Sequence, residues 1–183
     1  RVYAFEPSRQ SFERLTSAVN ESNCANVTLI NKAVYSENRK VILNEFPQEY
    51  SSWNSLGRPK MENPKDPRYL VPIERSVEVD AVTLDSFCQQ HNINKIDYLK
   101  LDVEGAELEA LKGASNLLEK KAIRYLQFGI SEGMLEGLRT KARYVFDFLR
   151  SKGYICHAIN EDGSIGDIVR DSSSYYENYI ALP

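Results

Sequence analysis

Two acidic residues that end apolar stretches of the chain are the first candidates for chemistry. Glu6 directly follows the run "VYAF", and Asp102 ends the run "DYLKLD". An acid at the position of Glu6 can accept hydrogen bonds from both hydroxyls of a ribose. An acid at the position of Asp102 can orient a nucleophile, take its proton, or lie beside a cationic cofactor. The two residues therefore raise the possibility of nucleotide binding and of proton transfer.

Each of these carboxylates also has a structural interpretation. Glu6 precedes a predicted helix, and an acid near a helix N-terminus interacts favourably with the helix dipole. Asp102 precedes another predicted helix and could cap it. Glu104 and Glu107 lie near the start of that second helix, where the dipole again favours an acid, and Glu107 is predicted to be structural. The residues alone leave both interpretations of Glu6 and Asp102 open.

The elements that must position these residues follow from the hydrophobic pattern. Continuous apolar or β-branched runs predict strands, and apolar residues at helical spacing predict helices. Ser8 and Thr83 are the predicted N-caps, and Gly153 lies just past the end of the last helix. The predicted strands are 2–5, 26–34, 40–46, 77–82, 97–102, 123–128, 154–159 and 178–183, and the predicted helices are 9–22, 83–92, 104–118 and 139–151.

This alternation predicts an α/β fold, a three-layer sandwich with a mainly parallel sheet. The last two strands are predicted to form an antiparallel C-terminal hairpin at the edge of that sheet. We expect one domain over 1–183. Within it, 47–76 holds five of the seven prolines and the only Trp, which predicts a long loop or lid.

In sheets of this kind, ligands bind outside the carboxyl ends of the strands. The positions that this rule selects are Glu6, Ala33, Asp102 and Gly129.

Composition excludes several classes of function. The 23 Lys and Arg residues against 26 Asp and Glu residues give a net charge of −3, without a basic segment that could follow a phosphate backbone. We therefore expect no nucleic-acid partner. No apolar run approaches the ~20 residues of a membrane helix, and no signal peptide is evident. The protein is predicted to be cytoplasmic, without membrane contact, and the sequence specifies no oligomeric state.

The cysteines and histidines are predicted to have no metal or disulfide role. Cys24, Cys88 and Cys156 are widely separated and lack CxxC spacing, which is typical of reduced thiols. His91 and His157 have no second ligand at metal-binding spacing.

Several motifs together resemble a known family. "VYAFEPS", "NVTLINKAV", "SSWNSL", "VTLDSF", "YLKLDVEGAELEALKGA" and "NYIAL" occur in the order expected of the FkbM family of S-adenosylmethionine-dependent methyltransferases, over nearly all 183 residues. The resemblance implies the Rossmann-like class I methyltransferase fold. It also implies S-adenosylmethionine as cofactor and methyl transfer to a hydroxyl oxygen of a sugar or other small metabolite.

The resemblance also implies roles for individual residues. Glu6 would hold the ribose of the cofactor, and Ala33 with its neighbours would border the adenine. Asp102 would lie where the methyl donor meets the acceptor, and it would be catalytic together with Glu104. Glu104 and Gly105 would shape the tight turn at that point.

A second group of implied roles concerns the long loop. Ser52, Asn54 and Ser55 would belong to the segment that closes over the acceptor. Trp53 would either stack on an acceptor ring or pack within the loop.

The sequence departs from the family pattern in two places. The glycine-rich strand and loop that open the family fold are missing, so we expect a truncated cofactor pocket and a fragment of the domain. Gly129 stands where similar sequences carry an acid, so we expect no metal site. The absence of an acid at position 129 leaves open a binding or scaffold domain that has lost the chemistry. The possible contact of Glu6 with a ribose also leaves open a nicotinamide-dependent oxidoreductase.

Overall fold

Strands and helices alternate along the chain in the computed structural model, which describes residues 1–58, 71–172 and 176–183. The strands are β1 (Val2–Phe5), β2 (Val27–Ile30), β3 (Ala33–Val34), β4 (Lys40–Glu45), β5 (Arg75–Val82), β6 (Ile96–Leu101), β7 (Ile123–Ser131), β8 (Ile155–Ile159), β9 (Ile165–Ile168) and β10 (Tyr176–Leu182). The helices are α1 (Arg9–Glu21), α2 (Leu84–Gln90), α3 (Glu107–Lys112), α4 (Ser115–Glu119), α5 (Glu132–Gly137) and α6 (Ala142–Ser151), with a 3₁₀ helix at Gln48–Trp53.

The strands form three sheets, and the α/β class is confirmed. The largest has the order β6-β7-β10-β8-β9, the second has the order β3-β5-β4, and β1 pairs with β2. Within the described residues, the β1–β2, β3–β5 and β6–β7 pairs are parallel, whereas the other four pairs are antiparallel. The prediction of one mainly parallel sheet was therefore wrong.

The strands differ from the prediction in two further respects. The stretch 26–34 is not one strand, because the Lys32 N–H donates to the Ile30 carbonyl and the turn separates β2 from β3. The predicted pairing of β8 with β10 is confirmed as antiparallel. However, β10 lies inside the sheet between β7 and β8, and the hairpin at the edge is formed by β8 and β9.

The helix starts follow the predicted caps in two cases. The Ser8 side chain accepts the Ser11 N–H at the start of α1, and the Thr83 side chain accepts the Ser86 N–H at the start of α2. The predicted helix 104–118 instead begins at Glu107 and breaks at Gly113. An added Cβ at Gly113 would contact the Tyr35 carbonyl oxygen, so the chain packs here by backbone contact.

The main core fills the space between the large sheet and its helices. Phe128 of β7, Phe146 of α6 and Tyr179 of β10 form a ring cluster with centroids 5.0 to 5.7 Å apart. All three rings are at most 1% exposed. Burial of these rings packs β7 firmly against β10 and α6, so the residues that flank β7 at the sheet end are held in place.

The structure gives surroundings for the cysteines and for one of the two histidines. Cys24, Cys88 and Cys156 are free thiols. His91 packs against the rings of Tyr3 and Phe87, which is a structural role. In the described part of the chain, no helix is both long and apolar enough to span a bilayer.

The predicted loop 47–76 is partly ordered into secondary structure. It contains the 3₁₀ helix Gln48–Trp53 and the first residues of β5. Residues 59–70 of this prediction lie outside the described residues. Ser55 forms an isolated antiparallel bridge with Asn44 of β4, which holds the loop against the three-stranded sheet.

Candidate functional site

A cavity of about 300 Å³ opens at the strand ends. Glu6 directly follows β1, Asp102 directly follows β6, and Ala33 is the first residue of β3; all three line this cavity. Residues predicted from three distant parts of the sequence are therefore brought together. The carboxyl ends of β1 and β6 border the same cavity, although the two strands belong to different sheets and not to one shared sheet.

Glu6 shows the structural interpretation, as an acid beside a helix start, and keeps one carboxylate oxygen open. Its Oε1 accepts the Ser8 N–H at 2.8 Å, as expected of an acid beside the α1 N-terminus. Oε2 has no hydrogen-bond partner within the described residues, which leaves it available to a ligand. Burial raises the pKa of Glu6, whereas the Ser8 N–H and the charge of Arg14 lower it. Asn31 Nδ2 donates to the Glu6 carbonyl at 2.8 Å and fixes the end of β1.

Asp102 is the most accessible of the carboxylates predicted to act. Its side chain is 42% exposed, and its Oδ2 accepts from Lys100 Nζ at 2.8 Å. The interpretation of Asp102 as a helix cap was wrong, because the N-cap of α3 is Ala106 and no side chain caps it within the described residues. Asp102 therefore directly follows β6 and borders the cavity without a capping role.

Between Asp102 and α3 the chain makes a tight turn. Glu104 has φ 49° and Gly105 has φ 98°, both in the left-handed region. An added Cβ at Gly105 would collide with the Met134 carbonyl oxygen, so glycine is required there. Glu104 lines the cavity together with Asp102. The predicted tight turn at Glu104 and Gly105 is thus present.

The 3₁₀ helix and the residues after it form another wall of the cavity. Ser52 and Asn54 line it, whereas Ser55 is buried and its Oγ donates to the Glu104 carbonyl at 2.6 Å. Trp53 stacks on Tyr50 with ring centroids 4.6 Å apart. Of the two interpretations of Trp53, packing within the loop is the one seen here.

Several lining residues were not predicted. The apolar side chains of Phe5, Leu43 and Leu56 also border the cavity, as does Lys32, which is one of the neighbours of Ala33 included in the prediction. Phe5 adjoins Glu6 along the chain, so proximity to a predicted position was a usable signal for it. Leu43 gave no such signal, because its place depends on the pairing of β4 with β5.

Gly129 lies within β7, which continues to Ser131, and not at a strand end as predicted. An added Cβ there would lie 3.6 Å from Asn178 Oδ1 and 3.8 Å from Asp102 Oδ1, so Gly129 still adjoins the site. Across residues 1–58, 71–172 and 176–183, no group of three or more His, Cys, Asp or Glu residues is placed to hold a metal ion.

The fold and this cavity define an α/β protein with a cavity at strand ends that is lined by both carboxylates and apolar residues. A family model described as "Methyltransferase FkbM domain" matches residues 1–156, and the chain belongs to this family. The predicted family is thereby confirmed. Membership in a methyltransferase family favours methyl transfer over the nicotinamide-dependent alternative.

Two individual relatives are similar to the chain. Hexuronic acid methyltransferase AglP of Haloferax volcanii is 30% identical over 121 residues, covering 64% of this chain and 43% of that protein. The crystal structure of methyltransferase FkbM from Methylobacillus flagellatus KT has a TM-score of 0.49 and 16% identity, covering 100% of this chain and 36% of that one. The chain thus spans less than half the length of these relatives.

Proposed function

We propose that the protein transfers a methyl group from S-adenosylmethionine to a hydroxyl oxygen of a sugar or other small metabolite. The observation that carries this proposal is that Glu6 and Asp102, from separate strands, line one cavity. In this proposal, Glu6 binds the cofactor and Asp102 takes part in the reaction. A cavity at the strand ends is also where α/β folds bind nucleotide ligands.

The residues present fit the cofactor. The half-buried Glu6 offers Oε2 to the ribose hydroxyls, because its Oε1 is already used by Ser8. Ala33, Val34 and Leu43 are buried and apolar, which suits the adenine ring. The bound cofactor supplies an electrophilic methyl group next to a positively charged sulfur.

Asp102 is the base in this proposal. Lys100 holds Oδ2 at 2.8 Å, so Oδ1 is the oxygen that accepts the acceptor's hydroxyl proton. As that proton moves to Asp102, the acceptor oxygen forms a bond to the methyl carbon and the carbon–sulfur bond breaks, leaving a neutral thioether. Correct placement of the acceptor oxygen contributes most of the rate. Glu104 lies beside Asp102 and contributes to the acceptor side of the cavity.

The acceptor class is proposed from the named relative. AglP is described as acting on hexuronic acid, so glucuronic acid is the first acceptor to test, with glucose as its uncharged counterpart. The wall formed by the 3₁₀ helix carries polar side chains that suit sugar hydroxyls, namely Ser51, Ser52 and Asn54. Formation of S-adenosylhomocysteine with either sugar would show methyl transfer, and its formation with glucose would show transfer to a hydroxyl oxygen, because glucose has no carboxylate.

The cofactor assignment is tested by calorimetry with S-adenosylmethionine. We expect Glu6→Ala to weaken binding by about 1–3 kcal/mol, the usual loss for a hydrogen bond to a charged group. Glu21→Gln is the matched control, because Glu21 is exposed at the far end of α1. Unchanged affinity of Glu6→Ala would remove Glu6 from the site. A wild-type protein that gives no heat of binding would favour the scaffold alternative.

A further inference from the structure

The carboxyl group of Glu107 lies buried beneath the turn that follows Asp102. Glu107 is the first residue of α3 and is only 3% exposed. Its Oε1 accepts the N–H groups of both Val103 and Gly105, each at 3.3 Å. Its Oε2 is fully buried and has no hydrogen-bond partner within the described residues. Burying a polar oxygen in this way costs free energy. We therefore expect the Glu107 carboxyl group to have a role that offsets this cost.

The turn above this carboxyl group needs support. Glu104 and Gly105 both have positive φ, and a left-handed conformation is costly for a residue with a side chain such as Glu104. The N–H groups on either side of Glu104 do not join a sheet or a helix. Glu107 Oε1 is the acceptor for both of them, so one side chain holds the backbone on both sides of Glu104.

The same turn carries the reactive side of the cavity. Asp102, Val103 and Glu104 all line the cavity, as does Ala106. The Glu104 carbonyl also receives the hydrogen bond of Ser55, which joins the turn to the opposite wall. A shift of this turn would therefore move Asp102 together with the segment around Ser55 on the opposite wall.

We propose that Glu107 is a positioning residue, whose buried carboxyl group fixes the turn 103–105 and thereby sets the direction of Asp102 toward the acceptor. This inference rests on the proposed function for the part that concerns Asp102. Burial is the main cause that raises the pKa of Glu107 to about 7; the nearby charge of Asp102 adds to the rise, and the N–H groups of Gly105 and Val103 oppose it. A neutral Glu107 can hold the turn without placing a second negative charge beside the base.

The test compares Glu107→Gln and Glu107→Ala with the wild type. Glutamine keeps an uncharged oxygen that can accept both N–H groups, whereas alanine removes the acceptor. Hydrogen exchange measured by NMR should show loss of amide protection at Val103 and Gly105 in Glu107→Ala and its retention in Glu107→Gln. With glucuronic acid as the probe acceptor, we expect Glu107→Ala to lower kcat at least about tenfold, since small misplacements at a reacting group cost this much or more. The KM for S-adenosylmethionine should change little.

Glu109→Gln is the matched control. Glu109 lies on the same helix but bonds to Ser36 and Lys112, away from the turn, so its substitution should change neither readout. The proposal is overturned if Glu107→Ala retains amide protection, if Glu107→Gln is no better than alanine, or if kcat falls only as much as the folded fraction. If the wild type shows no turnover with either sugar, the proposed function has failed. Amide protection then still decides whether Glu107 holds the turn.

Discussion

Glu6 and Asp102 line the same cavity in different surroundings. Glu6 is half-buried and already accepts a hydrogen bond from the α1 N-terminus, so it is fixed in place and suited to binding. Asp102 is more exposed, and within the described residues its ion pair is with Lys100 of the preceding strand β6. A carboxylate with one accessible oxygen is suited to proton transfer. The difference in surroundings supports the division of roles that we propose.

For Asp102→Asn, we expect turnover to fall by about 10²–10⁴-fold, the usual contribution of a general base. Thermal stability should change little, because the side chain is partly exposed and caps no helix. Asp97→Asn, at the exposed start of the same strand, is the control and should keep full turnover. If stability falls in Asp102→Asn while turnover survives, Asp102 is structural.

The titration of Glu107 predicts a pH dependence of stability. Burial raises its pKa from 4.5 to about 7. Between these values the folded protein holds a proton that the unfolded chain releases, so stability falls as the pH rises. The loss should reach about 3 kcal/mol by pH 7, at 1.36 kcal/mol for each unit of pKa. Denaturant unfolding from pH 4.5 to 7.5 measures this slope, and Glu107→Gln should lack it. Equal slopes in both proteins would contradict the prediction.

At the scale of elements, the turns between strands and helices decide where the site residues point. The sequence indicated the caps of α1 and α2, since Ser8 and Thr83 act within their own first turn. It did not indicate that α3 begins only at Glu107, because the positive φ of Glu104 depends on support from the buried Glu107 carboxyl group. It also gave no sign of α5, which follows β7 directly.

Two glycines near the site should respond in opposite ways to alanine. Gly105→Ala should destabilise by about 2 kcal/mol or more, because its φ is positive and a Cβ would meet the Met134 carbonyl. Gly129→Ala should be neutral or stabilising by up to about 1 kcal/mol, because the strand has room for a methyl group. Chemical denaturation of both variants tests the pair. A large loss in Gly129→Ala would show that this space is tighter than the structure indicates.

At the scale of the whole molecule, the cavity depends on contacts between different sheets. Ser55 pairs with Asn44 of the three-stranded sheet and donates to Glu104, which follows the five-stranded sheet. Asn44 Nδ2 in turn donates to the Gly57 carbonyl at 2.7 Å. These buried hydrogen bonds set the distance between the 3₁₀ helix and the turn after β6. Ser55 therefore links the wall formed by the 3₁₀ helix to the turn after β6.

Removing the Ser55 hydroxyl tests this link. Ser55→Ala leaves the Glu104 carbonyl and the Gly57 N–H without their partner, so we expect a loss of about 1–3 kcal/mol in unfolding free energy. The KM for the acceptor should rise, since the 3₁₀ wall is no longer fixed. Ser17→Ala, on the exposed face of α1, is the control. An unchanged KM with lowered stability would limit Ser55 to a structural role.

The sequence by itself determined the α/β class, the family and the positions of the two carboxylates, because strand runs, caps and motifs are local properties. The tertiary structure decided the rest. The division into three sheets, the central place of β10 and the contribution of Leu43 to the cavity all depend on which strands pair. Burial of Glu107 likewise depends on packing around it. Strand pairing and packing are long-range interactions, and a local pattern of residues does not specify them.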